Sequence, residues 1–162
     1  MPGTGKSTLA EGIAAATRAP AFSVDWLLGA IAPSGVLDDA PRPVVRGIYE
    51  RLLSSLLTRQ LMLGQSAVLD MIAGDEIIAE WSSIADEYGG RLVTVECVCS
   101  DETVHRSRID GRTRSIPGWH ELDWGHVEFM KKEIEPLSVP HLTVDAMEPA
   151  ESNLKYVLTQ IG

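Results

Sequence analysis

Residues 1–10 read MPGTGKSTLA, and the run that continues to Arg18 carries Leu9, Ile13 and Ala16 on one face at helical spacing. Gly5, Lys6 and Ser7 fit the last three positions of the pattern G-x-x-x-x-G-K-[ST], whose first glycine would fall one position before Met1. The chemistry of that pattern is legible in what remains. Backbone N–H groups of Gly3, Thr4, Gly5 and Lys6, backed by the N-terminus of the helix they open, form a nest for a β-phosphate. Lys6 would bridge β- and γ-phosphates, Ser7 would ligate Mg²⁺, and Thr8 would sit near the α-phosphate. The glycines let the backbone approach an anion where a Cβ would clash. A glycine-rich helix entry without a ligand is the plainer alternative. Such a loop ordinarily follows a buried central strand, and no residues ahead of Gly3 can supply it. Unpaired mid-sheet strands would expose backbone groups, so the expectation is a start codon assigned inside a longer reading frame rather than a shortened fold. The upstream frame is then expected to encode a short apolar strand ending in Gly.

Outward from this loop, strand-like and helical patterns alternate. Pro20 ends the first helix, and Ala21–Val24 is a short β-prone run. After a Gly/Pro/Asp-rich stretch over 33–43, residues 44–63 carry Val45, Ile48, Leu52, Leu56 and Met62 at helical spacing, stopping at Gly64. Ala67-Val68-Leu69 predicts a buried strand, 77–88 a helix, 92–98 a strand, 102–109 and 123–133 helices, 141–144 a strand and 150–161 a last helix. That order predicts a single α/β domain over residues 1–162, with a mostly parallel sheet covered on both faces. There is no internal repeat or linker.

The 162 residues are 44% hydrophobic and 23% charged, an ordinary globular composition. With Lys+Arg 14 against Asp+Glu 23, the formal charge of -9 repels nucleic-acid phosphates, so no nucleic-acid partner is expected. No apolar run approaches the ~20 residues of a membrane span and the start lacks a signal-peptide pattern, so a cytoplasmic protein is expected. Cys97 and Cys99, two apart in an apolar run, predict buried free thiols on one strand face rather than a zinc site.

Asp25, after the second strand-like run, stands at the carboxyl edge of the sheet, where ligands bind in open α/β folds. A carboxylate there can take the proton from an attacking hydroxyl during phosphoryl transfer. Capping a short helix from Trp26 is the alternative, and the roles can coexist. Asp70 ends Ala67-Val68-Leu69 as in a Walker B arrangement, where a carboxylate holds Mg²⁺ directly or through water; a solvated strand-end aspartate is the alternative. Arg106, Arg108, Arg112 and Arg114 reverse the local charge within nine positions. With the loop-like SIPG at 115–118 they suggest a lid at about 106–120 that brings guanidinium groups onto transferring phosphates, Arg108 and Arg112 sharing a helical face. A solvated basic loop paired with Asp101, Glu102 and Asp110 is the alternative. Trp119, His120 and Trp124 fit either an acceptor pocket or packing at the lid hinge. His105, His126 and His141 lack the spacing of a metal site and take no role.

As an ensemble these segments resemble the small P-loop kinases known as AAA-domain ATP-binding proteins, relatives of chloramphenicol phosphotransferase and the zeta toxins. The resemblance rests on PGTGKSTLA at 2–10, SVDWL at 23–27, AVLD at 67–70, CVCS at 97–100, HRSR at 105–108 followed by RTRSIPGWH at 112–120, and LTVD at 142–145. It implies a P-loop NTPase three-layer sandwich of kinase type, with the first central strand missing from this chain. It also implies an ATP-dependent, Mg²⁺-requiring transfer of a γ-phosphoryl group to a hydroxyl of a small molecule. Asp25 would be the general base; Lys6, Arg108, Arg112 and Arg114 would act on the phosphoryl group. ATP would lie on Gly3, Thr4, Gly5, Lys6, Ser7 and Thr8, its adenine between the Arg106 region and the loop at 146–148, with Ser7 and Asp70 on Mg²⁺. A nucleoside monophosphate kinase and a nucleotide-binding regulatory module without catalysis are the competing expectations.

Overall fold

The computed structural model describes all 162 residues. In chain order the elements are α1 (Lys6–Thr17), β1 (Ala21–Ser23), α2 (Val24–Ile31), a 3₁₀ turn (Ala32–Ser34), α3 (Arg42–Met62), β2 (Val68–Asp70), α4 (Asp75–Glu87), β3 (Val95–Val98), α5 (Glu102–Asp110), α6 (Trp124–Glu133), β4 (Leu142–Asp145) and α7 (Ala150–Ile161). The α/β alternation is the predicted one. β1 pairs parallel with β2, from Ala21 opposite Val68 to Ser23 opposite Asp70. β3 pairs parallel with β4, from Val95 opposite Leu142 to Val98 opposite Asp145. No strand joins the two pairs, so the expected parallel sheet is divided at its centre. A cavity of about 300 Å³ lies there, lined by Met71, Ile78, Val95 and Cys97 and reached by Thr4 and Lys6. Burial pushes the Cys97 thiol up to about 11. No helix is long and apolar enough to cross a membrane.

The core follows this division. Leu53 and Leu57 of α3 pack with Met71 and with Ile77 and Trp81 of α4 on one side. Leu9, Cys97, Val144 and Val157 form a second cluster, and Ile109, Trp124 and Val127 clamp α5 to α6.

Three expectations are corrected. First, α3 begins at Arg42 rather than within the 44–63 run, because Pro43 falls in the first turn, where a missing N–H leaves no hydrogen bond unmade. Second, α3 buries Leu53 and Leu57, not the stripe through Leu52, Leu56 and Met62, and Met62 is 57% exposed. The doubled leucines at 52–53 and 56–57 satisfy helical spacing on either face. Third, β3 extends only as far as its pairing with β4, so Cys99 lies past its end and is half-buried; both thiols are free.

Candidate active site

The loop ahead of α1 holds Gly3 and Gly5 at φ +79° and +76°, the left-handed region in which glycine is unstrained. A Cβ on Gly3 would stand 2.7 Å from Ile109 Cδ1, so the close packing of this loop on α5 also requires glycine. Thr4 is buried and donates its hydroxyl to the Met1 carbonyl at 2.9 Å, which leaves only its backbone N–H for an anion. Gly3 through Thr8 line a cleft of about 2040 Å³. The loop is held from below by His105, for which the sequence suggested no role. His105 is 3% exposed, and its Nε2–H donates to the Pro2 carbonyl at 2.6 Å, the tautomer a carbonyl acceptor demands. Its ring meets Trp124 edge-on at 5.2 Å. The available signal was its place one turn before Ile109, on the buried face of α5.

Two carboxylates each hold a cation at the carboxyl ends of the adjacent strands β1 and β2. Lys6 Nζ lies 2.6 Å from Oδ1 of Asp70, whose side chain is only 4% exposed. Asp25 is paired with Arg114, both less than one-fifth exposed. The alternative role of Asp25, as a helix cap, is not found. α2 starts at Val24 with Ser23 in the cap position, so Asp25 lies inside the first turn and its side chain faces the arginine. A carboxylate in that turn is favoured by the helix dipole.

The arginines separate. α5 ends at Asp110, so Arg112 lies beyond it and the expected helical face shared with Arg108 does not exist. Arg112 Nε and Nη2 are buried without a partner, as is Trp119 Nε1, and all three belong to residues lining the cleft. Burial, and then the neighbouring Arg114, lower the pKa of the Arg112 guanidinium. Arg108 lines the cleft and donates to the Ala146 carbonyl at 2.8 Å, tying α5 to the loop after β4. Arg106 is not brought to the cleft. Two helical positions from Arg108 it projects on the other side, 62% exposed, 3.8 Å from Asp110 and stacked over Trp124. It therefore cannot flank an adenine in this arrangement.

The segment between α5 and α6 is tied together by Glu121, whose carboxylate accepts from the backbone N–H groups of Arg114 and Ser115 at 2.7 and 3.3 Å. It rests on α2 by backbone contact. A Cβ on Gly29 would lie 2.6 Å from the Pro117 carbonyl oxygen, and one on Gly118 would strike the Gly29 carbonyl. Trp119 and His120 face the cleft, while Trp124 is 7% exposed in the α5–α6 core, so the two alternatives for these aromatics divide between them. The opposite wall was not anticipated. Arg42, Val45, Arg46 and Tyr49 of α3 line it at spacings of three and four. Burial and the nearby Glu50 and Asp25 carboxylates raise the Tyr49 pKa, keeping its hydroxyl protonated.

The nest and the unpartnered Arg112 donors fit a polyphosphate. Ser7 and Asp70 supply one hydroxyl and one carboxylate, and no cluster of three or more metal-binding side chains exists. So small a protein donor set suits an ion that keeps water and phosphate oxygens as its other ligands, as Mg²⁺ does.

A family model described as an AAA domain matches residues 1–137. The chain is similar in fold to a candidate kinase from Chloroflexus aurantiacus, at 21% identity and TM-score 0.71 over 99% of this chain and 94% of that one. A gluconokinase from Sinorhizobium meliloti aligns at 19% identity and TM-score 0.71 over 98% and 86% of the two chains. A sugar kinase from Janibacter aligns at 19% and 0.68 over 100% and 91%. No protein of curated function matches.

Proposed function

The chain belongs to this AAA domain family and has the P-loop kinase fold, and from that premise we propose that it transfers the γ-phosphoryl group of ATP to a hydroxyl of a small molecule. The observation that carries the proposal is the meeting of Asp25 with Arg114, beside the unpartnered Arg112, in the cleft lined by the phosphate loop. A structural ion pair would need neither the loop nor the orphaned donors.

In this reading Gly3 to Lys6 hold the β-phosphate through backbone N–H groups, and Lys6 leaves Asp70 to span the β- and γ-phosphates. Ser7 and Asp70 hold Mg²⁺, which when bound supplies charge neutralisation at the phosphate oxygens. Arg114 orients Asp25 through their ion pair. Asp25 accepts the acceptor's hydroxyl proton as the new O–P bond forms, and the bond from phosphorus to the β,γ-bridging oxygen breaks to release ADP. Arg112 offers Nε–H and Nη2–H to the charge spread over the phosphoryl oxygens, where a guanidinium fork matches the geometry. The segment around 106–120 acts as the lid, excluding water by its seat on α2.

The test is transfer from γ-labelled ATP to a panel of hydroxyl acceptors, with Asp25→Asn as the diagnostic variant. The expected loss in kcat is ~10²- to 10⁴-fold with ATP affinity nearly intact, because the phosphates are held elsewhere. Asn keeps the size and one acceptor oxygen for Arg114, so stability should fall by only ~1–2 kcal/mol. Near-normal turnover in Asp25→Asn would remove the residue from the chemistry. ATP binding without transfer to any acceptor would overturn the kinase reading.

A further inference from the structure

We infer that the acceptor is itself an anion, carrying a carboxylate or phosphate that Arg42 and Arg46 of α3 bind; this rests on the kinase reading above and names its substrate class. Neither residue belongs to the phosphate loop or the lid. Both stand on the helix packed beside α2, the element that carries Asp25, and so on the acceptor side of the cleft. Most of their donors are free. Arg42 makes no ion pair, and its Cζ stands over the Phe129 ring of α6, 4.7 Å from the ring centre. Arg46 gives only Nε–H to Glu50, at 2.7 Å, and its Nη2 extends over Gly74, 3.6 Å from where a Cβ would be.

Six of the chain's 14 basic residues line the cleft, Lys6, Arg42, Arg46, Arg108, Arg112 and Arg114, together with seven of its 23 acidic ones. Asp70 and Asp25 neutralise Lys6 and Arg114. Asp75, at the start of α4, is committed to the Ser138 backbone and hydroxyl. Glu50 and Glu76 both lie near Arg46, Glu50 holding only its Nε–H, while Arg42 has no carboxylate partner. Tyr49, Arg46 and Arg42 climb one face of α3, away from Asp25, over two turns or about 10 Å. An extended polyhydroxy chain lying along this face would run from Asp25 towards the guanidinium pair. Its reacting hydroxyl would meet Asp25, an inner hydroxyl would meet the protonated Tyr49, and its anionic end would meet the guanidinium pair, a planar fork suited to carboxylate or phosphate.

The experiment compares xylitol, xylonate and xylitol 5-phosphate by calorimetric binding and, separately, by phosphoryl transfer from ATP. One or both anions should bind at least tenfold more tightly than xylitol, and which of them does so distinguishes a carboxylate acceptor from a phosphorylated one. Arg42→Gln and Arg46→Gln should each weaken anion binding about 10- to 100-fold, the scale of one charge-assisted hydrogen bond, and should raise KM more than they lower kcat. Arg59→Gln, on the exposed last turn of α3 and outside the cleft, should leave both readouts unchanged. Anion binding that depends on Arg42 and Arg46 but leads to no transfer would keep the anion subsite on α3 and sink the kinase reading, and with it the role of that anion as acceptor. Equal binding and transfer of all three compounds, or no anion binding at all, would overturn the inference whatever becomes of that reading.

Discussion

Replacing Lys6 by Ala tests the resting state of the site as well as its nucleotide contact. The Lys6 ammonium is the only cation on a carboxylate that is 4% exposed, at 2.6 Å. Removing one partner of such a pair strands a charge in a poorly solvated place, which costs ~3–5 kcal/mol. For a chain of this length each kcal/mol moves the melting temperature by about 2–4 °C, so Lys6→Ala should melt ~6–20 °C lower. The double variant Lys6→Ala/Asp70→Asn removes the stranded charge and should recover more than half of that loss, the remainder being an imperfectly bonded buried amide. ATP affinity should be weak in both, since the second substitution restores the fold and not the phosphate contact. Calorimetric melting of the four proteins of the cycle, with ATP titrations on each, separates the two effects. A Lys6→Ala protein that melts within about 2 °C of the parent would refute the argument, because Asp70 would then be shown to need no partner.

Gly29→Ala places a methyl 2.6 Å from the Pro117 carbonyl oxygen, backbone against backbone, so the lid cannot seat. Phosphoryl transfer should drop at least ~10-fold while ATP binding is kept, and equal kcat in steady-state assays would show that the lid contact is incidental. His105→Ala should raise the KM for ATP by removing the bond to the Pro2 carbonyl, whereas His105→Asn, tested in the same assay, should recover part of the loss; a fall in melting temperature with KM unchanged would reduce His105 to packing. The Cys97 thiol supplies a pH dependence of known sign. Its folded pKa is raised by burial from 9.0 to about 11, so its contribution to stability is complete below pH 9 and is lost as pH rises towards 11, by ~2 kcal/mol. Urea midpoints across that range should fall in the parent and fall less in Cys97→Ala; identical slopes would assign the alkaline loss to other groups.

The phosphate half of the site was legible because it is local. Anion recognition there depends on consecutive backbone N–H groups and two left-handed glycines, so seven contiguous residues specify it without reference to any distant contact. The same holds for strand-end carboxylates, since a short apolar run that stops at an acid fixes where that acid stands. Asp25 stands just past the end of β1, inside the first turn of α2, with Ser23 in the cap position. The arginine cluster was legible as a reversal of charge and not as geometry. Which of Arg106 and Arg108 faces the cleft is decided by the rotation of α5, and Arg112 departs from that rotation only because the helix ends at Asp110.

The acceptor half is illegible for a physical reason that the α3 stripe makes plain. Arg42, Arg46 and Tyr49 share a helical face with one another, yet nothing local says that this face borders a cleft rather than solvent. The doubled leucines of α3 permit two rotations of the helix, and the packing of Leu53 and Leu57 against Met71 and Trp81 chooses between them. That choice turns the arginines into the cleft. The facing wall depends in turn on Gly29 and Gly118, 89 residues apart, allowing the lid backbone to settle on α2. In the proposed reading, nucleotide recognition is therefore written in one short stretch, while acceptor recognition is a property of how α2, α3 and the lid pack. A change in acceptor could follow from substitutions on α3 that leave the phosphate loop untouched.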